Sequence, residues 1–66
     1  MLVKLKAECD FDGVKRTLYF NPLHIVAVEE FDENECLVRT DSNTEYVADG
    51  RVDVIAAKIG DALEEM

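Results

Sequence analysis

The spacing of the apolar residues changes part-way along this 66-residue chain. Near the beginning, apolar and charged residues alternate, which is the period-two pattern of a strand with one buried face. The alternating apolar residues are Val3, Leu5, Ala7 and Cys9. After Gly50 the apolar residues recur at steps of three and four, the spacing of one face of a helix. This order of patterns predicts an α+β fold in which an antiparallel sheet is followed by a C-terminal helix.

Turn-forming residues divide the first part of the chain into four or five short strands. Aspartate, asparagine, glycine and serine cluster at residues 10–13, 32–35 and 41–44, and Asn21-Pro22 ends another apolar run. We expect these strands to form a continuous meander packed against the helix. The expected strands are residues 2–9, 15–20, 25–31, 36–40 and 45–48, and the expected helix is residues 51–65. Asp49 is placed to cap the first amides of that helix.

The length of the chain allows one small domain, residues 1–66. A domain of about 60 residues buries only about 60% of the surface that its unfolded chain exposes. A sheet of short strands also has two edges, whose free backbone groups are often covered by a partner. We therefore expect the protein to form a homo-oligomer.

The charge of the chain is strongly negative and unevenly placed. The formal net charge is −8, and residues 21–66 hold twelve acidic and three basic side chains. Direct binding to nucleic acid is not expected, because Lys and Arg supply most of the affinity for phosphates. The densest acidic surface is expected at Glu29, Glu30, Asp32, Glu33 and Glu35. Its spacing does not match a calcium loop, so we expect no metal ion there.

The residue types give little support for catalysis. His24 and Ser42 are the only histidine and serine, and neither Cys9 nor Cys36 has basic neighbours that would activate a thiol. We expect a protein that is not an enzyme and binds no cofactor. The two cysteines, with no export signal or membrane-spanning run in view, favour reduced thiols, no membrane insertion and a cytoplasmic location.

Aromatic and aliphatic residues around Asn21-Pro22 exceed what one thin helix can cover. We expect an interface with another protein there, formed by Tyr19, Phe20, Leu23 and Val26. The alternative is that all four side chains belong to the core. A different hypothesis uses the acidic residues, with the protein acting as an inhibitor or nucleic-acid mimic that occupies a basic groove of a host protein.

The segment Leu18-Tyr19-Phe20-Asn21-Pro22-Leu23-His24-Ile25-Val26-Ala27-Val28-Glu29 resembles the F-Y-L-N-P-x-x-I-x-x-I-E stretch of small bacterial flagellar proteins of the FlbD type, also called swarming motility proteins. Glu45-Tyr46-Val47 is similar to their K-x-Y-x-V strand, and the likeness covers residues 2–59. Gly50-Arg51-Val52 stands where that family has E-S-V with a capping serine. The resemblance implies a non-enzymatic accessory protein with an unidentified protein partner, either motility-associated or encoded by a bacteriophage, and it brings no catalytic residues.

Overall fold

A computed structural model of the protein describes residues 1–9 and 12–65. Within these ranges the chain forms five strands, a single 3-10 turn and one α-helix. In chain order they are β1 (Val3–Cys9), β2 (Lys15–Phe20), the 3-10 turn (Pro22–His24), β3 (Ile25–Asp32), β4 (Glu35–Thr40), β5 (Glu45–Asp49) and α1 (Val52–Glu64). Each strand or helix bound differs from the expected one by at most one residue.

The expected fold class is confirmed, because the strands make one antiparallel sheet and α1 follows at the C-terminal end. Strands β3, β4 and β5 form a meander, and β1 and β2 form a hairpin. The hairpin joins the meander through β1, which pairs with β5 at Ala7↔Ala48 and Cys9↔Tyr46. The order β2-β1-β5-β4-β3 therefore differs from a continuous meander at the step from β2 to β3. These two consecutive strands become the two edges of the sheet.

The short connection between the edge strands requires a curled sheet. Adjacent strands lie about 4.8 Å apart, so a flat sheet with this order would place β2 about 19 Å from β3. The chain from Phe20 to Ile25 spans at most about 18 Å when fully extended, and the 3-10 turn shortens it further. The sheet must therefore bend so that the end of β2 approaches the start of β3. We call this region, residues 19–26, the corner.

The core lies between the inner face of the sheet and α1. In β1 and β4 every second residue is buried, which is the alternation of strands with one covered face. In α1 the buried residues recur at steps of four and three, as on one helix face. The buried apolar residues are Val3, Leu5, Ala7, Phe20, Cys36, Val38, Ala48, Ile55, Ile59 and Ala62.

The start of α1 differs from expectation. Asp49 does not cap the helix but ends β5, where its carboxylate accepts a hydrogen bond from the Lys15 ammonium at 2.6 Å. The residue that precedes the helix is Arg51, which makes no side-chain capping bond. Asp53 lies in the first turn, where its negative charge is favourable near the positive end of the helix dipole. In the described part of the chain, no helix has the length and apolar character needed to cross a membrane.

The first hairpin turn is only partly described, since Asp10 and Phe11 lie outside the described residues. The second half of the turn matches the expected chemistry of aspartate and glycine. The Asp12 carboxylate accepts a hydrogen bond from the Val14 N–H at 3.0 Å, and Gly13 has a φ of 66°. A glycine takes this left-handed conformation without steric cost.

Gly50 connects the sheet to the helix and has no room for a side chain. Its φ is 124°, and a Cβ placed there would lie 2.9 Å from Cδ1 of the buried Ile55. Its N–H donates a hydrogen bond of 2.7 Å to the Asn34 carbonyl, which ties the helix entry to the β3–β4 turn. The conformation and the space both require glycine at this position.

We predict opposite effects of alanine at two glycines. Gly50→Ala should lower the free energy of unfolding by roughly 1–3 kcal/mol, because it combines backbone strain with a clash against Ile55. Gly60→Ala is the matched control, since a Cβ there meets open space in the helix interior, and it should raise stability by up to about 1 kcal/mol. Urea denaturation followed by circular dichroism measures both. Equal stabilities of the two variants would contradict this account of the helix entry.

Candidate functional site

The corner is held by hydrogen bonds at each of its turn residues. The Asn21 side chain accepts a bond from the Leu23 N–H at 3.0 Å, and the Asn21 carbonyl accepts one from the His24 N–H at 2.9 Å. Pro22 occupies the first position of the turn, where its missing N–H costs nothing, and it is buried. The Asn-Pro pair thus fixes the backbone that carries Leu23.

A second set of contacts fastens the corner to the β4–β5 turn. The Asp41 N–H donates to the His24 carbonyl at 2.9 Å, and the Asp41 carboxylate lies 2.7 Å from His24 Nδ1. His24 is accordingly an exposed turn residue engaged by one carboxylate. Leu23 lies between these two sets of contacts, and its side chain is exposed.

Three of the four residues expected at an interface are exposed at the corner. The relative exposures are 56% for Tyr19, 64% for Leu23 and 60% for Val26. Val26 is exposed because it is the extra residue of a β-bulge, where the register shifts between Ile25 and Ala27. We call Tyr19, Leu23 and Val26 the apolar corner residues.

The fourth residue, Phe20, corrects the expectation. It is 8% exposed and packs edge-on against Tyr46 with ring centroids 5.0 Å apart, so it belongs to the core and not to a surface. The reason is the pleat of β2, in which Tyr19 and Phe20 point to opposite faces. The expectation that all four residues act together, whether at an interface or in the core, does not hold.

The two edge strands carry opposite charge. Strand β2 has Lys15 and Arg16 and no acidic residue, while β3 has Glu29, Glu30 and Asp32 and no basic residue. Among the described residues, the backbone hydrogen bonds outside the strand ladders and the helix leave the outer edge of β2 uncovered. The sequence analysis missed this contrast between the edges. The charged start and apolar end of Lys15–Phe20 is the signal that could have revealed it.

The expected acidic residues surround the β3–β4 hairpin but do not form one array. Glu29 is bound by the Arg39 guanidinium at 3.3 Å, and Arg39 also binds Glu45 at 2.9 Å. Glu30, Asp32 and Glu33 are exposed and line a hollow that Arg51 and Asp53 also border. In the described ranges, no group of three or more His, Cys, Asp or Glu side chains is placed to hold a metal ion.

Glu35, the fifth of the expected acidic residues, lies near three other charged side chains, Asp32, Asp49 and Lys15. A hydrogen bond with Asp32 raises the pKa of Glu35, and partial burial and the charges of Asp32 and Asp49 raise it further. Lys15, whose ammonium lies 3.8 Å from Glu35, opposes the increase without cancelling it. The ionised form of Glu35 is therefore less favourable in the folded chain than in the unfolded one.

Both cysteines are free thiols. Cys36 is fully buried opposite Ala48, and this burial raises the pKa of its thiol. A thiol of this kind is a poor nucleophile, because the thiolate is the reactive form. Cys9, at the end of β1, is half-buried.

Comparisons with known proteins assign no role to any of these residues, so their roles must be inferred from the structure. The chain matches no family model, no curated protein and no solved structure. The likeness to FlbD-type proteins therefore stays a prediction from the quoted residues. The apolar corner residues and the two edge strands are therefore the features from which we propose a function below.

The raised pKa of Glu35 predicts a stability that depends on pH. A carboxyl group whose folded pKa lies above its unfolded value stabilises the fold when protonated, and this stabilisation is lost as pH rises through the folded pKa. Glu35→Gln should thus raise the Tm at pH 7, and the gain should shrink as the pH falls toward 4 and wild-type Glu35 becomes protonated.

Thermal unfolding of both proteins across this range measures the difference. Glu64→Gln, at an exposed helix position, is the control and should leave the Tm nearly unchanged. A Glu35→Gln variant less stable than the wild type at pH 7 would show that the Lys15 pair outweighs the crowding of carboxylates.

Proposed function

We propose that this chain is a non-enzymatic accessory protein that acts by binding protein through the apolar corner residues, and that its first partner is a second copy of itself. The observation that carries the proposal is the exposure of Tyr19, Leu23 and Val26 on a backbone fixed by hydrogen bonds. Single exposed apolar side chains scattered over a surface are ordinary, but these three all belong to one segment of eight residues, 19–26, that contains the hydrogen-bonded turn.

The rigidity of the corner favours binding over a role in the core. Ordering a flexible loop on association costs free energy, and a preorganised surface avoids that cost. The Leu23 backbone is already held from two sides, through Asn21 and through His24 and Asp41. The Leu23 side chain is held in contact with water by this backbone, so it contributes the favourable free energy of apolar burial only when another molecule covers it.

The size of the domain supports a second copy as the partner. A core covered by one helix leaves several large apolar side chains exposed beyond the corner, among them Phe31 and Val54. Self-association removes such surface from water in every copy at once. The resemblance to FlbD-type proteins, motility-associated or phage-encoded, agrees with this class of small binding protein.

The acidic alternative has less support. An inhibitor that mimics a nucleic acid needs a row of unpaired carboxylates, whereas Arg39 pairs with Glu29 and Lys15 pairs with Asp49 and Glu35. The other three expected acidic residues, Glu30, Asp32 and Glu33, line a single hollow that the basic Arg51 also borders. This arrangement favours contact through the corner.

A serine substitution tests the corner. Leu23→Ser should lower the average mass in light scattering toward that of the 7.5 kDa monomer, because it removes apolar surface from the contact without touching the core. Leu63→Ser, at an exposed leucine on α1, is the matched control and should leave the mass of the assembly unchanged.

Circular dichroism verifies that both variants remain folded. A wild-type protein that stays at 7.5 kDa throughout the micromolar range would contradict the proposal. If the two serine substitutions changed the mass equally, the corner would not be the surface through which the copies bind.

A further inference from the structure

We propose that copies of this chain assemble head to tail, with strand β2 of one copy pairing antiparallel with strand β3 of the next. The inference rests on the proposed self-association and specifies how it occurs. Strands β2 and β3 are the two edges of the sheet, and they do not pair with each other. Each therefore offers a row of backbone N–H and C=O groups to a partner strand.

The first argument is the distribution of charge across the sheet. A net charge of −8 makes most surfaces of two copies repel each other. The strands of the β1–β2 hairpin are the exception, since Lys4, Lys6, Lys15 and Arg16 outnumber Glu8 there. Two of these four already have partners in the chain, since Lys15 contacts Asp49 and Glu35 and Arg16 contacts Asp12, but all of these are exposed or half-buried surface pairs that a second copy can displace. The opposite edge, β3, is purely acidic in its charged residues. Contact between unlike edges brings a basic surface to an acidic one, whereas contact between two β3 edges would oppose like charges.

The second argument is the order of residues along each edge, which sets the direction of pairing. Strand β2 begins with Lys15 and Arg16 and ends with apolar residues, Leu18–Phe20. Strand β3 begins with apolar residues, Ile25–Val28, and continues with Glu29 and Glu30. An antiparallel arrangement places basic beside acidic and apolar beside apolar, and a parallel one mismatches both halves.

The third argument is that the apolar corner residues lie where these apolar halves would meet. Tyr19 is near the end of β2, Val26 is near the start of β3, and Leu23 lies on the turn between them. Pairing of β2 with a neighbouring β3 brings Tyr19 of one copy to the Val26 end of the next. Burial of the exposed corner and completion of the sheet edge then occur in one contact.

A head-to-tail contact uses different surfaces on the two copies, so an open assembly keeps one free β2 edge at one end and one free β3 edge at the other until a ring closes. This property separates it from a symmetric dimer, in which both copies use the same edge. Charge reversal at a single position on each edge distinguishes the two arrangements. Arg16 and Glu30 are suitable because both are exposed, and the described Arg16 contact is a surface pair with Asp12 at 3.1 Å.

The test compares Arg16→Glu, Glu30→Arg and the double variant by sedimentation velocity at low salt. Each single variant should raise the apparent dissociation constant of the assembly by about tenfold or more, because like charges then meet at the edge contact. An equimolar mixture of the two single variants should assemble again, and so should the double variant alone. In both cases unlike charges face each other once more.

Charge-matched controls on α1 separate the edge effect from net charge. Lys58→Glu changes the net charge as Arg16→Glu does, and Glu64→Arg changes it as Glu30→Arg does. Both should leave the assembly unaltered, and circular dichroism confirms that all variants are folded.

The possible failures are distinguishable. Assembly that Leu23→Ser disrupts but the double variant does not restore would overturn edge pairing and leave the proposed function standing. Single variants that assemble like the wild type would also overturn edge pairing. A wild-type protein that is monomeric at 7.5 kDa would overturn both proposals.

Discussion

One helix covering one face of a thin sheet is the constraint on which the rest of this structure depends. Ile55, Ile59 and Ala62 reach the inner face of the sheet, and this single layer of contact supplies the core. The opposite face of the sheet has no helix of the described chain against it, and it is occupied by charged side chains such as Arg39 between Glu29 and Glu45. Because such a domain buries little apolar surface, its core cannot compensate for strained turns, and the connecting segments must adopt unstrained conformations. Gly50 and the Asn21-Pro22 turn meet that requirement.

The pairing of β1 with β5 joins the β1–β2 hairpin to the β3–β5 meander and gives the sheet two edges of different character. It closes the middle of the sheet and leaves the consecutive strands β2 and β3 at opposite edges. Because only four residues connect them, the edges converge at the corner and carry its exposed apolar side chains with them. The same topology puts the basic residues of β2 and the acidic residues of β3 on opposite edges, and among the described side chains only that of Lys15 reaches across to Asp49 and Glu35. Self-association through unlike edges is proposed from this separation of charge.

The elements could be predicted from the sequence because each depends on local spacing. Alternation in β1 and β4, and steps of three and four in α1, record which side of each element is covered. The pairing of distant strands has no such local signature, so the meander was correct for β3–β5 and did not extend to β2. Phe20 was misplaced because a dense aromatic run does not reveal which of two adjacent residues faces inward. Asp49 was misplaced because Lys15, which is 34 residues away, competes for its carboxylate.

The burial of Cys36 gives the chain an internal reporter of its own opening. The thiol lies on β4, between β3 and β5, with no exposed surface. A reagent that alkylates thiols can reach it only after α1 or a neighbouring strand moves away, so its labelling rate records opening of the core. Cys9 sits at a strand end and is half-buried, and it records fraying of the hairpin in the same sample. The alkylation rates of these two native thiols thus report two different opening motions, and no engineered probe is needed.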